Sequence, residues 1–404
     1  MASLNGVRLS GPLVPYAQGF ADELDRQGYN PMTGTRGQLF LIAHLSRWLA
    51  ERSLEPKALS SSAVVEEFFA GRRELGYANY RTAKALVPLL GYLRQLEVLA
   101  PPQAAELTPA QALLERFRAY LTSERGLAAT TARGYIDAVR QFVTERVIDG
   151  EDDLSGFTAT EVTAFVVATC PGQTRGSARM TVTALRSLLA FLHVDGILGE
   201  SLVAAVPSAA SWRLSSLPKG LTPHEVSRLL AAPDRRRRVG RRDFAVLMLL
   251  ARLGLRAGEV AALEFDDLDW RAGDLIVRGK GARHERLPLP DDVGQALVGY
   301  LQRGRPATAQ GRRVFSRVRA PHGPMTTSAV THVVFAAGKR AELGTVRAHR
   351  LRHTAATQLL ATGAPLVEIG QLLRHRSQLT TAIYAKVDTE ALRTLARPWP
   401  GGVA

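Results

Sequence analysis

The sequence predicts a mainly α protein: a helical N-terminal domain, a second helical domain, and a mixed α/β domain that is mostly helical with one small β-ribbon. Three observations lead there. Apolar residues recur at helical spacing from about residue 16 to residue 205. One pair of short strand-like runs, Leu275–Val277 and Arg286–Leu289, brackets a turn in which Gly279 and Gly281 flank Lys280. The length of 404 residues, at about 150 per domain, is enough for two or three separate cores.

In chain order, residues 1–104 form the first helical domain, with Leu41, Leu45, Trp48 and Leu49 on one face. A stripe of this kind, tryptophan included, is core more often than contact surface. Residues 105–205 form the second, with Phe117, Leu121, Tyr135, Val139 and Phe142 marking its buried faces. Phe20, Leu24, Val65 and Phe68 are echoed 97 residues later by Phe117, Leu121, Val162 and Phe165, which is either a faint internal repeat or coincidence. Residues 206–219, VPSAASWRLSSLPK, lack a helical period and read as a linker. Residues 220–404 form the third domain. Its first helix has the signature of a capping box: Thr222 at the cap, Pro223 in the first turn and Glu225 three after the cap. Gly363 and Pro365 end one later helix and start the next.

Composition narrows the function. The chain has 52 Lys and Arg against 37 Asp and Glu, a net charge of +15. The excess is segregated: residues 1–100 carry +2, residues 101–205 carry −3, and residues 206–404, with 32 basic against 16 acidic side chains, carry +16. A domain that neutralises phosphates looks like this, so a nucleic-acid partner is expected. Cys170 is the sole cysteine, which excludes an internal disulfide and fits a reducing cytoplasm. The N-terminal residues show no signal-peptide pattern, and the most apolar run, Phe244–Ala251, is far shorter than the ~20 residues of a membrane helix. The expectation is a cytoplasmic protein with no membrane partner.

The chemistry is concentrated near the C-terminus, in AHRLRHTAATQLLATGAPLVEIGQLLRHRSQLTTAIYAKVD, which contains His349, Arg352, His375 and Tyr384. Upstream, GLRAGE supplies Arg256 and Glu259, and the ribbon turn supplies Lys280. Attack on a phosphodiester builds negative charge on the non-bridging oxygens. Arg256 and Arg352, planar and permanently charged, suit that charge. His349 lies three residues before Arg352, so both can face one ligand. The Tyr384 phenol, with a pKa of about 10 when unperturbed, becomes a nucleophile when nearby cations favour its ionised form. Lys280 suits the general acid that protonates the departing sugar oxygen. Glu259, three after Arg256, is either a surface carboxylate or a brace for the arginine, and we favour the brace. His349 and His353 have the spacing of a zinc pair, but Arg350 and Arg352 crowd the same turn and no Glu follows the first His, so no metal is expected.

In order and spacing these residues resemble the tyrosine recombinases, or phage-integrase family, over residues 108–398. The resemblance implies an enzyme in which Arg256, Lys280, His349, Arg352 and His375 assemble around a scissile phosphate. Tyr384 would then form a 3′-phosphotyrosyl bond and release a 5′-hydroxyl, with no cofactor. It implies a core-binding domain at residues 105–205 and a homo-tetramer on paired double-stranded DNA sites, with accessory recombination proteins as further candidate partners. The fitting activity is site-specific recombination for a mobile element, by integration, excision or transposition. A catalytically silent DNA-binding regulator and a type IB topoisomerase-like enzyme are the alternatives. Residues 1–104 are either a DNA arm or a second core-binding-like unit.

Arg133, in the threonine-rich helix entry with Thr130 and Thr131, is a candidate DNA contact, as is Arg283 beside Lys280. Arg175, Arg179 and Arg186 share one helical face that serves either as phosphate contact or as solvated surface. One departure stands out: where the family usually has Gly before the second histidine, this chain has Arg374, expected either to bind another phosphate or to perturb His375. Leu392 and Leu395 of the tail either pack on a neighbouring subunit or close their own domain.

Overall fold

The computed structural model describes residues 2–101, 107–148, 154–208, 220–279, 284–374 and 381. The chain divides into two compact units: residues 1–101 together with 216–404, and residues 102–215. The architecture is mainly helical, with two small antiparallel sheets.

The first stretch opens with a short hairpin whose one sequence signal is its Asn5-Gly6 turn, the strands being too short for alternation to show. Strands β1 (Ala2–Leu4) and β2 (Val7–Leu9) pair through Asn5-Gly6, both at positive φ, the backbone that a tight two-residue turn demands. Four helices follow: α1 (Ala17–Arg26), α2 (Arg36–Glu51), α3 (Ser62–Glu74) and α4 (Val87–Gln95). Val7 and Leu9 of the hairpin join Phe20, Leu24, Leu45, Leu49 and Phe68 in one core, with Trp48 at its edge.

The other unit is built from α5 (Pro109–Ala119), α6 (Ala129–Arg146), α7 (Ala159–Thr169) and α8 (Arg175–Val194). Capping boxes start α5 (Thr108 with Gln111) and α7 (Thr158 with Glu161), satisfying backbone donors that the first helical turn leaves open. The 97-residue echo has a structural counterpart. All eight echoed side chains are buried, and they fall on the first and third helices of each set or just beyond the first. Phe20 meets Tyr92 of α4 at 5.6 Å, and Phe117 meets Phe191 of α8 at 5.5 Å, so first and fourth helices touch through aromatic rings in both sets. Trp48–Phe68 and Phe142–Phe165 repeat the pattern between second and third helices, edge to face.

The remaining part begins with α9 (Pro223–Ala231), whose cap is the Thr222/Glu225 capping box. Next comes α10 (Arg238–Arg252), in which every residue from Ala245 to Ala251 is buried. That explains the apolar run: the helix is surrounded by its own domain. Helix α11 (Ala257–Ala262) leads into a sheet of order β3-β4-β5, formed by β3 (Leu268–Asp269), β4 (Asp274–Arg278) and β5 (His284–Pro288). The ribbon expected at Leu275–Val277 and Arg286–Leu289 is present in register Leu275↔Leu287. It extends to a polar pair, Arg278↔His284, because backbone pairing ignores side-chain polarity. Among the described residues four helices follow: α12 (Asp291–Arg303), α13 (Thr327–Arg340), α14 (Ala348–Ala361) and α15 (Leu366–Leu372).

Residues 1–101 dock on this part at a tight turn. The backbone N–H of His322 donates to the Gln27 carbonyl at 3.0 Å. Gly28, at φ +84°, faces His322 and Thr308 so closely that a Cβ there would lie inside both side chains. Among the described residues, no helix is long and apolar enough to cross a membrane.

Candidate active site

Arg256 occupies the residue just before α11, in extended backbone, after the turn that leaves α10. Glu259 sits in the first turn of α11 and holds Arg256 twice. Its Oε2 accepts the Arg256 backbone N–H at 2.7 Å, and its Oε1 accepts Nη1 at 2.7 Å. The Arg256 side chain stays 48% exposed while Glu259 is 7% exposed, so the carboxylate is a buried anchor for a cation that faces outward. Burial works to raise the Glu259 pKa, but the Arg374 charge and the Arg256 backbone and guanidinium outweigh it and hold the group below the usual carboxylate range.

Arg352 is placed differently. It lies on α14, is 2% exposed, and gives Nη1 to the Gly254 carbonyl at 2.6 Å. Gly254 is at φ +58°, and a Cβ on it would come 2.7 Å from Leu373 Cδ2. Glycine lets this turn adopt positive φ and pack under α14 without strain while it aims its carbonyl at the arginine.

His349 and His353 lie on the same helix with ring centroids 4.4 Å apart, edge to face. Partial desolvation lowers the His349 pKa, and the charges of Arg352 and Arg256 lower it further. Those influences place Arg256 and Arg352 within electrostatic reach of one imidazole. His353 is pushed down to about 4 by desolvation, then by His349 and Arg352. Both rings are therefore biased toward the neutral form. An edge-to-face stack is a packing contact, and among the described residues no group of three or more His, Cys, Asp or Glu could hold a metal ion.

The structure thus gathers Arg256, Glu259, His349 and Arg352 in one place. Lys280, Arg283, His375 and Tyr384 lie outside the described residues. At the turn end of β4, Arg278 is engaged by Asp267 at 2.9 Å and Glu264 at 3.1 Å. Of the candidate DNA contacts, Arg133, Arg175 and Arg179 are exposed. Arg186 instead gives Nη2 to the Val206 carbonyl at 2.8 Å and to Ser208 Oγ at 3.1 Å, tying down the chain that follows the fourth helix of its unit. Arg374 departs furthest from the expected phosphate contact. Its side chain is 3% exposed and turned inward onto Glu259, because that buried carboxylate is the nearer counter-charge.

Two contributors carry no motif in the sequence. Gly254 matters through its carbonyl, and only its place two residues before Arg256 hints at it. Thr354 accepts the Leu221 N–H at 2.8 Å through Oγ1 and so fixes the start of the domain to α14.

Comparison with known proteins shows the family and the fold. The family model of the phage integrase family matches residues 219–391, and that of the phage integrase N-terminal SAM-like domain matches residues 114–196. A Sinorhizobium fredii protein named "Putative integrase/recombinase y4rA" is 40% identical over 97% of this chain and 95% of its own length. Tyrosine recombinase XerD of Mycobacterium tuberculosis is 34% identical over 71% of this chain and 96% of its own. Among solved structures, XerH site-specific recombinase bound to a palindromic difH substrate aligns with a TM-score of 0.57 at 17% identity, covering 73% of this chain and 98% of its own. A lambda integrase (75–356) dimer bound to a COC′ core site aligns at 0.53 and 18%, covering 72% and 98%. At those identities the two structures show a shared fold. The identity with y4rA and XerD goes further: the chain belongs to the tyrosine recombinase (phage integrase) family, enzymes that cleave and rejoin DNA strands.

Proposed function

We propose that this chain recombines specific DNA sites for a mobile element, cutting each strand through a covalent bond to Tyr384. The observation that carries the reading is the convergence of Arg256, held outward by Glu259, with His349 and Arg352. Two guanidiniums beside an imidazole biased toward its neutral form suit a phosphodiester whose oxygens gain charge during attack. In the proposed step the Tyr384 oxygen bonds to phosphorus and the bond from phosphorus to the 5′-oxygen breaks. His349, biased toward the neutral form, is able to take the phenol proton. Lys280 gives a proton to the departing 5′-oxygen, and His375 bonds a phosphate oxygen. The 3′-phosphotyrosyl bond conserves the energy of the link, so a 5′-hydroxyl from a partner strand reverses the step without a cofactor.

The fold matches to DNA-bound recombinases and the +16 charge of residues 206–404 support double-stranded DNA as partner. In the proposed reading four copies engage paired sites, acting in the cytoplasm. Residues 105–205 serve as the core-binding domain and 220–404 as the catalytic domain. The matched helices and aromatic contacts of α1–α4 and α5–α8 favour a second core-binding-like unit over a DNA arm for residues 1–104.

A nicked duplex that releases a short 5′-hydroxyl strand tests the reading, since the covalent complex cannot religate. The proposal expects a denaturant-resistant adduct, and joint molecules when two site-bearing DNAs are mixed. DNA binding with no adduct would make the chain a silent regulator. An adduct with supercoil relaxation and no joint molecules would make it topoisomerase-like.

A further inference from the structure

Arg374 occupies a backbone position that favours glycine, at φ +54°, and its guanidinium is buried. A long cationic side chain in a left-handed turn and out of water is costly on both counts, and such features persist where the surroundings use them. Here both ends of the residue are used on one target. The side chain donates Nη2 to Glu259 Oε2 at 2.8 Å and Nη1 to the Leu372 carbonyl at 2.8 Å. The Arg374 carbonyl accepts Arg256 Nη2 at 3.3 Å. Glu259 therefore stands between two guanidiniums, with Arg256 on Oε1 and Arg374 on Oε2.

The charge count gives this arrangement a consequence. Glu259 and Arg256 alone would form a neutral pair, and a carboxylate that neutralises the arginine weakens its pull on a phosphate. Arg374 supplies a second positive charge to the same carboxylate, so the trio carries one net positive charge, and the member that faces solvent is Arg256. We propose that Arg374 is a positioning residue that occupies Glu259 and thereby leaves the Arg256 charge available to the scissile phosphate. The inference rests on the reading of Arg256 as a phosphate ligand. It also accounts for arginine where the turn favours glycine.

The test uses the full chain on the nicked duplex, reading the single-turnover rate of adduct formation at saturating DNA, with DNA affinity and thermal midpoint measured alongside. Arg374→Gly keeps the carbonyl that holds Arg256 and suits the positive φ, so it is expected to fold. Its adduct rate should fall by about 10- to 100-fold, the range seen when an outer partner of a reacting group is removed, with affinity little changed. Arg374→Lys, which keeps a cation, should lose less. The decisive variant combines Arg374→Gly with Glu259→Gln: the amide still accepts the Arg256 backbone N–H but no longer captures its charge, so the rate should recover toward wild type. A wild-type rate for Arg374→Gly, or a double variant as slow as the single, would overturn the inference. An absence of adduct from the wild-type chain would instead overturn the recombinase reading itself, which keeps the two failures distinguishable.

Discussion

Arg256 and Arg352 are both assigned to one phosphate in the proposed step, yet the two regions that hold them work in opposite ways. The start of α11 presents an arginine that is 48% exposed, steered by a carboxylate three residues along and by a carbonyl from the turn after α15. Helix α14 presents an arginine that is 2% exposed, locked by packing and by the Gly254 carbonyl. The first is held by charge and contributes little to the core. The second is part of the core, so its removal reaches both stability and chemistry.

That contrast sets the order of expected effects. Arg352→Ala should be the most severe. Adduct formation should fall by about 10²–10³ through the lost charge-assisted donor, and thermal unfolding should report a loss of about 2–4 kcal/mol from the buried void and the unpaired Gly254 carbonyl. Arg256→Ala should show a similar loss of rate with a smaller stability change, about 1 kcal/mol, because Arg256 is half exposed and Arg374 still neutralises the buried Glu259. Equal destabilisation by the two substitutions would break the comparison. Gly254→Ala should act on the buried arginine alone. A side chain at φ +58° costs about 1–2 kcal/mol, and contact with Leu373 adds to it. Its rate loss should track Arg352→Ala in direction but be smaller, and an unchanged unfolding midpoint would count against the tight turn.

The smallest effect concerns pH. His353 has a folded pKa of about 4, below its usual value, so the folded chain resists protonating it. Its contribution is present above about pH 6.5 and is lost as pH falls toward 4. His353→Gln should flatten the fall in stability across that window by about 1–2 kcal/mol, a figure discounted because the ring is only half-buried. A slope unchanged by the substitution would assign the acid sensitivity to other groups.

How far the sequence could be read followed the range of the interactions. Thr222, Pro223 and Glu225 form the capping box that their spacing predicts, because a cap is local to four residues. The Trp48 stripe is legible because helical periodicity reports which face meets a core, whereas the continuous α10 run is buried all round and carries no period. The 97-residue echo is faint because its four identical pairs are all buried apolar positions, while the exposed positions between them are free to differ. Other features depended on partners remote in sequence. Arg374 reads as a further phosphate contact or a perturbation of His375 until Glu259, 115 residues away, is seen beside it. Arg186 fits a phosphate-binding face until the Val206 carbonyl takes it. The β1–β2 hairpin and β3 have two or three residues per strand, too few for alternation to register.

The most direct test of the account is the nucleophile. Tyr384→Phe removes one oxygen and keeps the ring, so the variant should bind the nicked duplex with wild-type affinity and form no denaturant-resistant adduct. An adduct that persists in the Phe variant would contradict covalent catalysis by Tyr384.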